Sequence, residues 1–165
     1  MTFRDIYEAA LRMICEDSTA EETADYEERA PYILATFCNE CAPIEAAYCK
    51  AHNLLFVSIP ALTKIAMIDD FPLRDRFSSA VIYYLSAMLV IDENEELSDK
   101  FFSLYTDAVS LVQAETEKKL QAIKEAEEAL KKEEELEKEE DSNVEDSTEA
   151  PVFTLEKIVN RYPFF

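Results

Sequence analysis

The stretch that decides the fold runs from Leu73 to Val112: LRDRFSSAVIYYLSAMLVIDENEELSDKFFSLYTDAVSLV. Up to Ile91, its apolar residues recur at helical spacing and cover nearly the whole circumference, which predicts a central, buried helix. The three residues that follow make a tight connection, in which Asn94 is expected to adopt the left-handed conformation. A last helix is predicted from Glu95. Because the connection is short, the two helices are expected to be antiparallel neighbours.

Glycine is absent from the 165 residues, although 48% of them are hydrophobic. Glycine ordinarily supplies positive-φ turns and allows the backbone to approach phosphates closely. Its absence therefore excludes a Walker loop, a Rossmann fingerprint and Asn-Gly hairpins. Together with enough apolar residues for a core, this composition predicts an all-α fold, a small bundle of about four to five helices with a long charged C-terminal helical arm.

The N-terminal part of the chain is predicted to contribute the remaining helices. Thr2 followed by Asp5 resembles a capping box, which would start the first of them. Apolar spacing places these helices at residues 3–16, 24–42 and 44–51. Pro31 is expected to start or bend the second helix, and Pro43 to end it or open the next. Residues 53–68 stay open between strand, helix and loop.

Charge divides the chain into four predicted segments. Net charge is −20 overall, with −12 on residues 1–114, which we interpret as the helical bundle domain. Residues 115–140 form an acidic helical arm, and residues 141–150 a polar linker that is predicted to be disordered. Residues 151–165 carry a net charge of +1 and are dense in apolar side chains. The overall acidity argues against general binding to nucleic-acid backbones or to anionic membranes.

The apolar C-terminal segment is the predicted partner-binding element. Apolar residues this dense beyond a polar linker need a place to be buried, on the same chain or on another. We expect docking on another molecule, while packing on the chain's own helices, or staying floppy until assembly, is the alternative. The candidate docking residues are Phe153, Leu155, Ile158, Tyr162, Phe164 and Phe165.

Cys38, Cys41, Cys49 and His52 form a C-x2-C-x7-C-x2-H pattern. Thiolate and imidazole are the ligands that zinc prefers, so these four residues are candidate metal ligands. The first two cysteines, however, follow the helical spacing of their neighbours, and a cysteine often behaves as a small buried hydrophobe. We therefore expect core cysteines, and no metal or other cofactor.

Nothing in the sequence favours catalysis. His52 is the only histidine, and paired carboxylates are common in so acidic a chain. We therefore expect no enzymatic activity. Arg74 and Arg76 are predicted to tie down the start of the central helix or to form inter-subunit pairs. Tyr83, another inter-subunit or structural candidate, is assigned to the core, and Tyr84 to an interface.

No membrane-spanning or secretory segment is expected. The longest apolar stretch, Ala80 to Ile91, is shorter than the roughly twenty residues that a bilayer requires. The first residues lack a basic region followed by an apolar run. We therefore expect synthesis in the cytoplasm, where the four cysteines would be reduced.

Two blocks carry a resemblance to a known family. The first is Met1 to Leu11 with Tyr26 to Leu34. The second runs from Asp70 through YYLSAML at 83–89 and DENEEL at 92–97 to FFSLY at 101–105. The second block is similar to the paired-helix core of head–tail connector proteins, the neck adaptors of tailed bacteriophages and prophages. The resemblance covers residues 1–112.

The resemblance implies a virion structural protein at the head–tail junction. It implies a homo-oligomeric ring, of twelve copies, between the portal protein and the tail or stopper proteins. DNA would pass through the channel of that ring without sequence-specific binding, which suits an acidic chain. The alternative function is a small acidic interaction module or assembly chaperone in phage morphogenesis.

Overall fold

The computed structural model describes residues 1–14 and 23–142, with side chains as far as residue 135. The chain divides into two compact units, Met1–Lys124 and Glu125–Phe165. Within the described residues there are four α-helices and no strands, which confirms the predicted all-α fold. The helices are α1 (Phe3–Met13), α2 (Ala24–Ala51), α3 (Ser78–Val90) and α4 (Glu95–Ser142). None of them, over the residues described, combines the length and apolarity needed to cross a membrane.

Helix α1 begins with the predicted capping box. The Thr2 backbone N–H donates to the Asp5 carboxylate at 2.7 Å, and the Asp5 N–H donates to the Thr2 hydroxyl at 3.2 Å. These two bonds satisfy backbone donors that the start of a helix otherwise leaves unpaired. The helix ends at Met13, three residues earlier than predicted, with Ile14 as its C-cap.

Helix α2 is one continuous element, so the prediction of a break at Pro43 and a separate third helix was wrong. Both Pro31 and Pro43 lie inside the helix. Each proline removes an intrahelical hydrogen bond and strains the preceding turn, at a cost of about 3 kcal/mol. Burial of residues on both sides of the prolines offsets that cost, because one apolar face of the whole helix packs into the core. The buried apolar residues include Ala30, Leu34, Phe37, Cys38, Cys41 and Tyr48.

The residue with left-handed backbone is Asn53, which follows the C-terminus of α2. The prediction that Asn94 adopts this conformation was wrong. Asn53 has a φ of 52° and is the positive-φ residue recorded in the described chain. The Asn53 N–H donates to the Lys50 carbonyl at 3.3 Å, and the Leu54 N–H donates to the Cys49 carbonyl at 2.8 Å. This pair of bonds is a Schellman motif with asparagine in the position that glycine usually takes. Asn94 instead caps α4, since its side-chain oxygen accepts from the Leu97 N–H at 3.0 Å.

Substitutions at Asn53 test this motif. We expect Asn53→Ala to be less stable than Asn53→Gly by about 1–2 kcal/mol, because a β-carbon disfavours the left-handed conformation. Both variants lack the amide side chain, so the difference isolates the backbone strain. Urea unfolding followed by circular dichroism measures it. Equal stabilities would contradict the left-handed assignment.

Helix α3 is central, as predicted, but it begins at Ser78 rather than at Leu73. Arg74 is still extended, and a single 3-10 turn, Asp75–Phe77, leads into the helix. Within α3 the buried positions occupy nearly every side, namely Ala80, Val81, Tyr84, Leu85, Ser86, Ala87, Leu89 and Val90. Helices α1 and α2 both pack on α3.

The pairing of α3 with α4 follows the predicted antiparallel arrangement. The Ser98 hydroxyl donates to the Ala87 carbonyl at 3.0 Å. Further along α4, the Tyr105 ring lies 5.0 Å from the Tyr84 ring. Later residues of α4 therefore meet earlier residues of α3. Helix α4 continues through the predicted arm to Ser142.

Candidate interaction surface

The connection from α2 to the 3-10 turn, residues 52–74, is long for a compact domain. Connections longer than about 12–15 residues without secondary structure are uncommon and are usually functional or disordered. This one contains neither the strand nor the helix that the sequence left open. It is held in place at several points, so it forms a defined surface.

Two groups of hydrogen bonds anchor this connection. In its middle, the Asn39 amide donates to the Leu62 carbonyl at 2.6 Å and accepts from the Leu62 N–H at 2.9 Å. Towards its end, the Phe3 N–H donates to the Asp69 carbonyl at 3.0 Å, and Thr2 forms an antiparallel bridge with Asp70. The helix α2 and the N-terminus thus fix residues 62–70.

Between these anchors and α2, the connection exposes a short run of apolar side chains, which we call the apolar strip. Leu54 and Phe56 are 42% and 37% exposed, and Leu55 and Val57 are 83% and 72% exposed. Single exposed apolar residues are ordinary, but clustered ones are less so and often mark interaction sites, and Leu55 and Val57 are the most exposed of these four. Within the described chain, no hydrogen bond is recorded to the backbone of Phe56, Val57, Ser58 or Ile59.

A groove of about 340 Å³ adjoins the apolar strip at Val57. Its apolar wall comes from the connection and from the first residue of α1, and includes Phe3, Val57, Ile59, Leu62, Ile65 and Pro72. Lys64, Asp69 and Asp70 supply its polar groups. The Lys64 ammonium lies 5.0 Å from the centre of the Tyr32 ring, while neither aspartate has an ion-pair partner among the described residues. The groove therefore combines an apolar wall with unneutralised carboxylates.

The predicted site residue Arg74 holds the start of the strip to α2. Its Nε lies 3.2 Å from a carboxylate oxygen of the buried Glu45 and donates to the Cys49 sulfur at 3.3 Å. Its Nη2 donates to the Leu55 carbonyl at 2.9 Å. The bond to the Cys49 sulfur raises the pKa of Arg74, so the guanidinium stays charged. Arg74 thus ties the connection to α2. The predicted roles, holding the start of the central helix or pairing between subunits, stay predictions.

Arg76 and Tyr83, the other two inter-subunit or structural candidates, lie apart from this contact. Arg76 pairs with Glu115 of α4 at 3.0 Å. Tyr83 is half-buried against the core, whereas Tyr84 is buried and packs 5.5 Å from the Phe37 ring. Tyr84, which the sequence assigned to an interface, is therefore a core residue, and Tyr83, which was assigned to the core, packs against it with part of its side chain exposed. A one-residue shift moves a helical side chain by 100°, and periodicity alone did not resolve it.

The candidate metal ligands fall into two different environments. Cys38 and Cys41 are buried in the core, and burial raises the pKa of each thiol to about 12. Cys49 donates to the Glu45 carboxylate at 3.3 Å, and His52 stacks on the Tyr48 ring at 4.3 Å. No cluster of three or more histidine, cysteine, aspartate or glutamate side chains in the described part is arranged to hold a metal ion.

The predicted docking residues lie outside the described residues. This holds for Phe153, Leu155, Ile158, Tyr162, Phe164 and Phe165. Their partner-binding role stays a prediction.

The apolar strip is the surface that sequence reasoning missed. It was treated as an element of undecided secondary structure, not as an interaction site. The available signal was a run of four apolar residues, Leu54 to Val57, between a helix end and Pro60. Comparisons of the chain with protein-family profiles, with curated proteins and with solved structures give no match. Fold and surface together define an all-α protein with an exposed apolar strip.

Proposed function

We propose that the protein is a non-enzymatic structural component of a bacteriophage head–tail junction, where its copies form an adaptor ring between portal and tail. The observation that carries the assembly role is the apolar strip, Leu54 to Val57, on a well-anchored connection. Clustered exposed apolar side chains of this kind favour association, because contact with another chain removes them from water. The choice of a phage adaptor ring among possible assemblies rests on the resemblance of residues 1–112 to neck adaptors.

Charge supports the same proposal. Apart from residues 49–77, which carry four basic and three acidic side chains, the first 114 residues are strongly acidic. A ring lined by acidic side chains repels the phosphate backbone and lets DNA pass without sticking, because phosphate contacts depend on lysine and arginine. Residues 49–77 include the apolar strip, so the strip lies on the least acidic part of this region.

Ring assembly also sets a geometric requirement. Identical subunits in a ring meet through heterologous contacts, which need two different complementary surfaces on every copy. The apolar strip and its groove offer one of them. The C-terminal segment, residues 151–165, is the candidate for the other.

Deletion of residues 151–165 tests the proposed function. We expect the shortened chain to keep its helicity and its melting temperature, because residues 3–112 by themselves supply one connected hydrophobic core. In infected cells in which the shortened chain replaces the wild-type protein, the joining of tails to heads should fall by more than tenfold. Filled heads without tails should accumulate. Electron microscopy of particles counts them, and circular dichroism of the purified variant controls for folding.

Two outcomes would count against this proposal. Tailed particles at wild-type yield would show that the segment has no part in joining. Detection of the full chain in infected cells but not in purified particles would instead indicate the alternative, an assembly chaperone.

A further inference from the structure

We infer that the groove beside the apolar strip receives the C-terminal segment, residues 151–165, of a second copy of this chain. The inference rests on the proposed function in one respect only, namely that copies of the chain assemble with one another. It adds the contact by which they do so. Groove and segment are complementary in apolar character, in charge and in backbone hydrogen bonding.

Apolar complementarity is the first argument. The groove wall combines partly buried side chains that pack against the core, such as Ile59 and Leu62, with the exposed Val57 and Pro72. The segment offers the sequence PVFTLEKIV from Pro151 to Val159, in which β-branched and aromatic residues predominate. Each apolar side chain that enters such a groove leaves water, which favours the association. A groove of this size accommodates a few side chains of the segment.

Charge complementarity is the second argument. The groove bears Asp69 and Asp70 against Lys64. The segment bears Lys157 and Arg161 against Glu156. Its two cations can approach the carboxylates of Asp69 and Asp70 inside the groove, which favours the encounter of the two surfaces. Most other surfaces on two copies of this chain repel each other, because the surface of each copy is acidic there.

Backbone hydrogen bonding is the third argument. The backbone groups of Phe56 to Ile59 have no recorded partner in the described chain, and these residues border the groove. An extended peptide that lies along them can supply main-chain donors and acceptors, as in recognition by strand addition. The main chain then provides affinity, while the apolar wall selects the side chains.

The reach of the chain favours a second copy over the same copy. Residues 125–142 of α4 rise about 27 Å, since an α-helix advances about 1.5 Å per residue. Residues 143–150 span at most about 29 Å when fully extended. A segment that begins at residue 151 would need almost all of that reach to return to the start of residues 125–142. A second copy is not joined covalently to this segment, so the length of the linker sets no limit on its approach.

A complementation experiment with full-length variants tests the contact. Val57→Asp places a charge in the groove at an exposed position, and Phe153→Asp places one in the segment. We expect the wild-type chain to associate, and each variant alone to stay at the 18.9 kDa of one chain. An equimolar mixture should reach twice that mass, because the intact segment of one variant can occupy the intact groove of the other. Light scattering after size exclusion measures the masses.

Ile68→Asp is the matched control for the groove variant. Ile68 is 84% exposed on the same connection, yet it does not line the groove, so this variant should associate like the wild type. A fluorescent peptide of residues 151–165, titrated with the full-length Phe153→Asp protein, gives a second readout that does not depend on the groove variant. We expect saturable binding, and at least tenfold weaker binding of a scrambled peptide.

Several results would overturn the inference. The first is a mixture of the two variants that stays at the mass of one chain, and the second is association of Val57→Asp at the wild-type level. The third is a loss of association in Ile68→Asp as large as that in Val57→Asp. The fourth is binding of the scrambled peptide as tight as that of the peptide of residues 151–165. Co-sedimentation with the portal protein separates this failure from failure of the proposed function. A Val57→Asp chain that still binds the portal while the mixture stays monomeric would reject the contact and leave the adaptor role standing.

Discussion

Replacement of Leu85 by alanine is expected to lower the free energy of unfolding by about 2–5 kcal/mol. Leu85 lies in the middle of α3 and has no exposed surface. Helices α1 and α2 both pack on α3, so the shortened side chain would leave a cavity that the surrounding helices can close only in part. Urea unfolding of the full chain measures the loss.

The same substitution at Leu111 is the matched control. Leu111 is a helical leucine that is 72% exposed, so Leu111→Ala should change the stability by less than about 0.5 kcal/mol. The two variants share their chemistry and their helical context, and they differ in burial. A loss below about 0.5 kcal/mol for Leu85→Ala would contradict the placement of α3 at the centre of the fold.

Alkaline pH is expected to destabilise the protein through its core thiols. Burial raises the pKa of Cys38 and of Cys41 from 9.0 to about 12. The unfolded chain therefore releases these protons from about pH 9, whereas the folded chain holds them, and the unfolded state is favoured as the pH rises. The stability is fully present below pH 9 and is lost up to about pH 12, by on the order of 4 kcal/mol per thiol.

Urea unfolding at a series of pH values, under reducing conditions, measures this loss. The double variant Cys38→Ala, Cys41→Ala is the control. It is expected to start from a lower stability, because the sulfur atoms leave small cavities, but to lose less on going from about pH 8 to about pH 11. The pKa of Tyr105, which burial raises to about 12, accounts for part of the decline that remains. Identical declines in the two proteins would show that the thiols do not cause it.

Local sequence patterns predicted the structure correctly where the residues that interact are close to one another in sequence. The capping box at Thr2 and Asp5 needs only residues three apart, and it was predicted correctly. The same holds for the start of α4 at Glu95, and for its antiparallel pairing with α3. Burial of Cys38 and Cys41 followed from helical spacing as well. In each case the deciding interaction lies within one helix or across one short turn.

Local patterns failed where packing outweighs propensity. Pro43 carries a strong tendency to end a helix, yet α2 continues because its apolar face is buried along its length. Leu73 fits the apolar stripe of α3, but Arg74 is extended and contacts Glu45 and Leu55, so the helix begins only at Ser78. Asn94 and Asn53 are both suited to positive φ, and only the hydrogen bonds around Asn53 select it.

The apolar strip shows the same division. The apolar character of Leu54 to Val57 is written in the sequence, and so is the apolar segment at 151–165. Whether such a run is buried or exposed depends on contacts far away in the chain, here those of Asn39 with Leu62 and of Phe3 with Asp69. These contacts hold residues 62–70 against α1 and α2 and leave Leu55 and Val57 facing water.

By itself, the sequence determined the helical class, the central helix and the acidity of this protein, because composition and periodicity act through short-range geometry. The tertiary structure alone decided that α2 stays whole, where the left-handed residue falls, and which apolar side chains remain uncovered. Those features depend on the free energy of contacts between residues distant in sequence, and no local pattern carries that information.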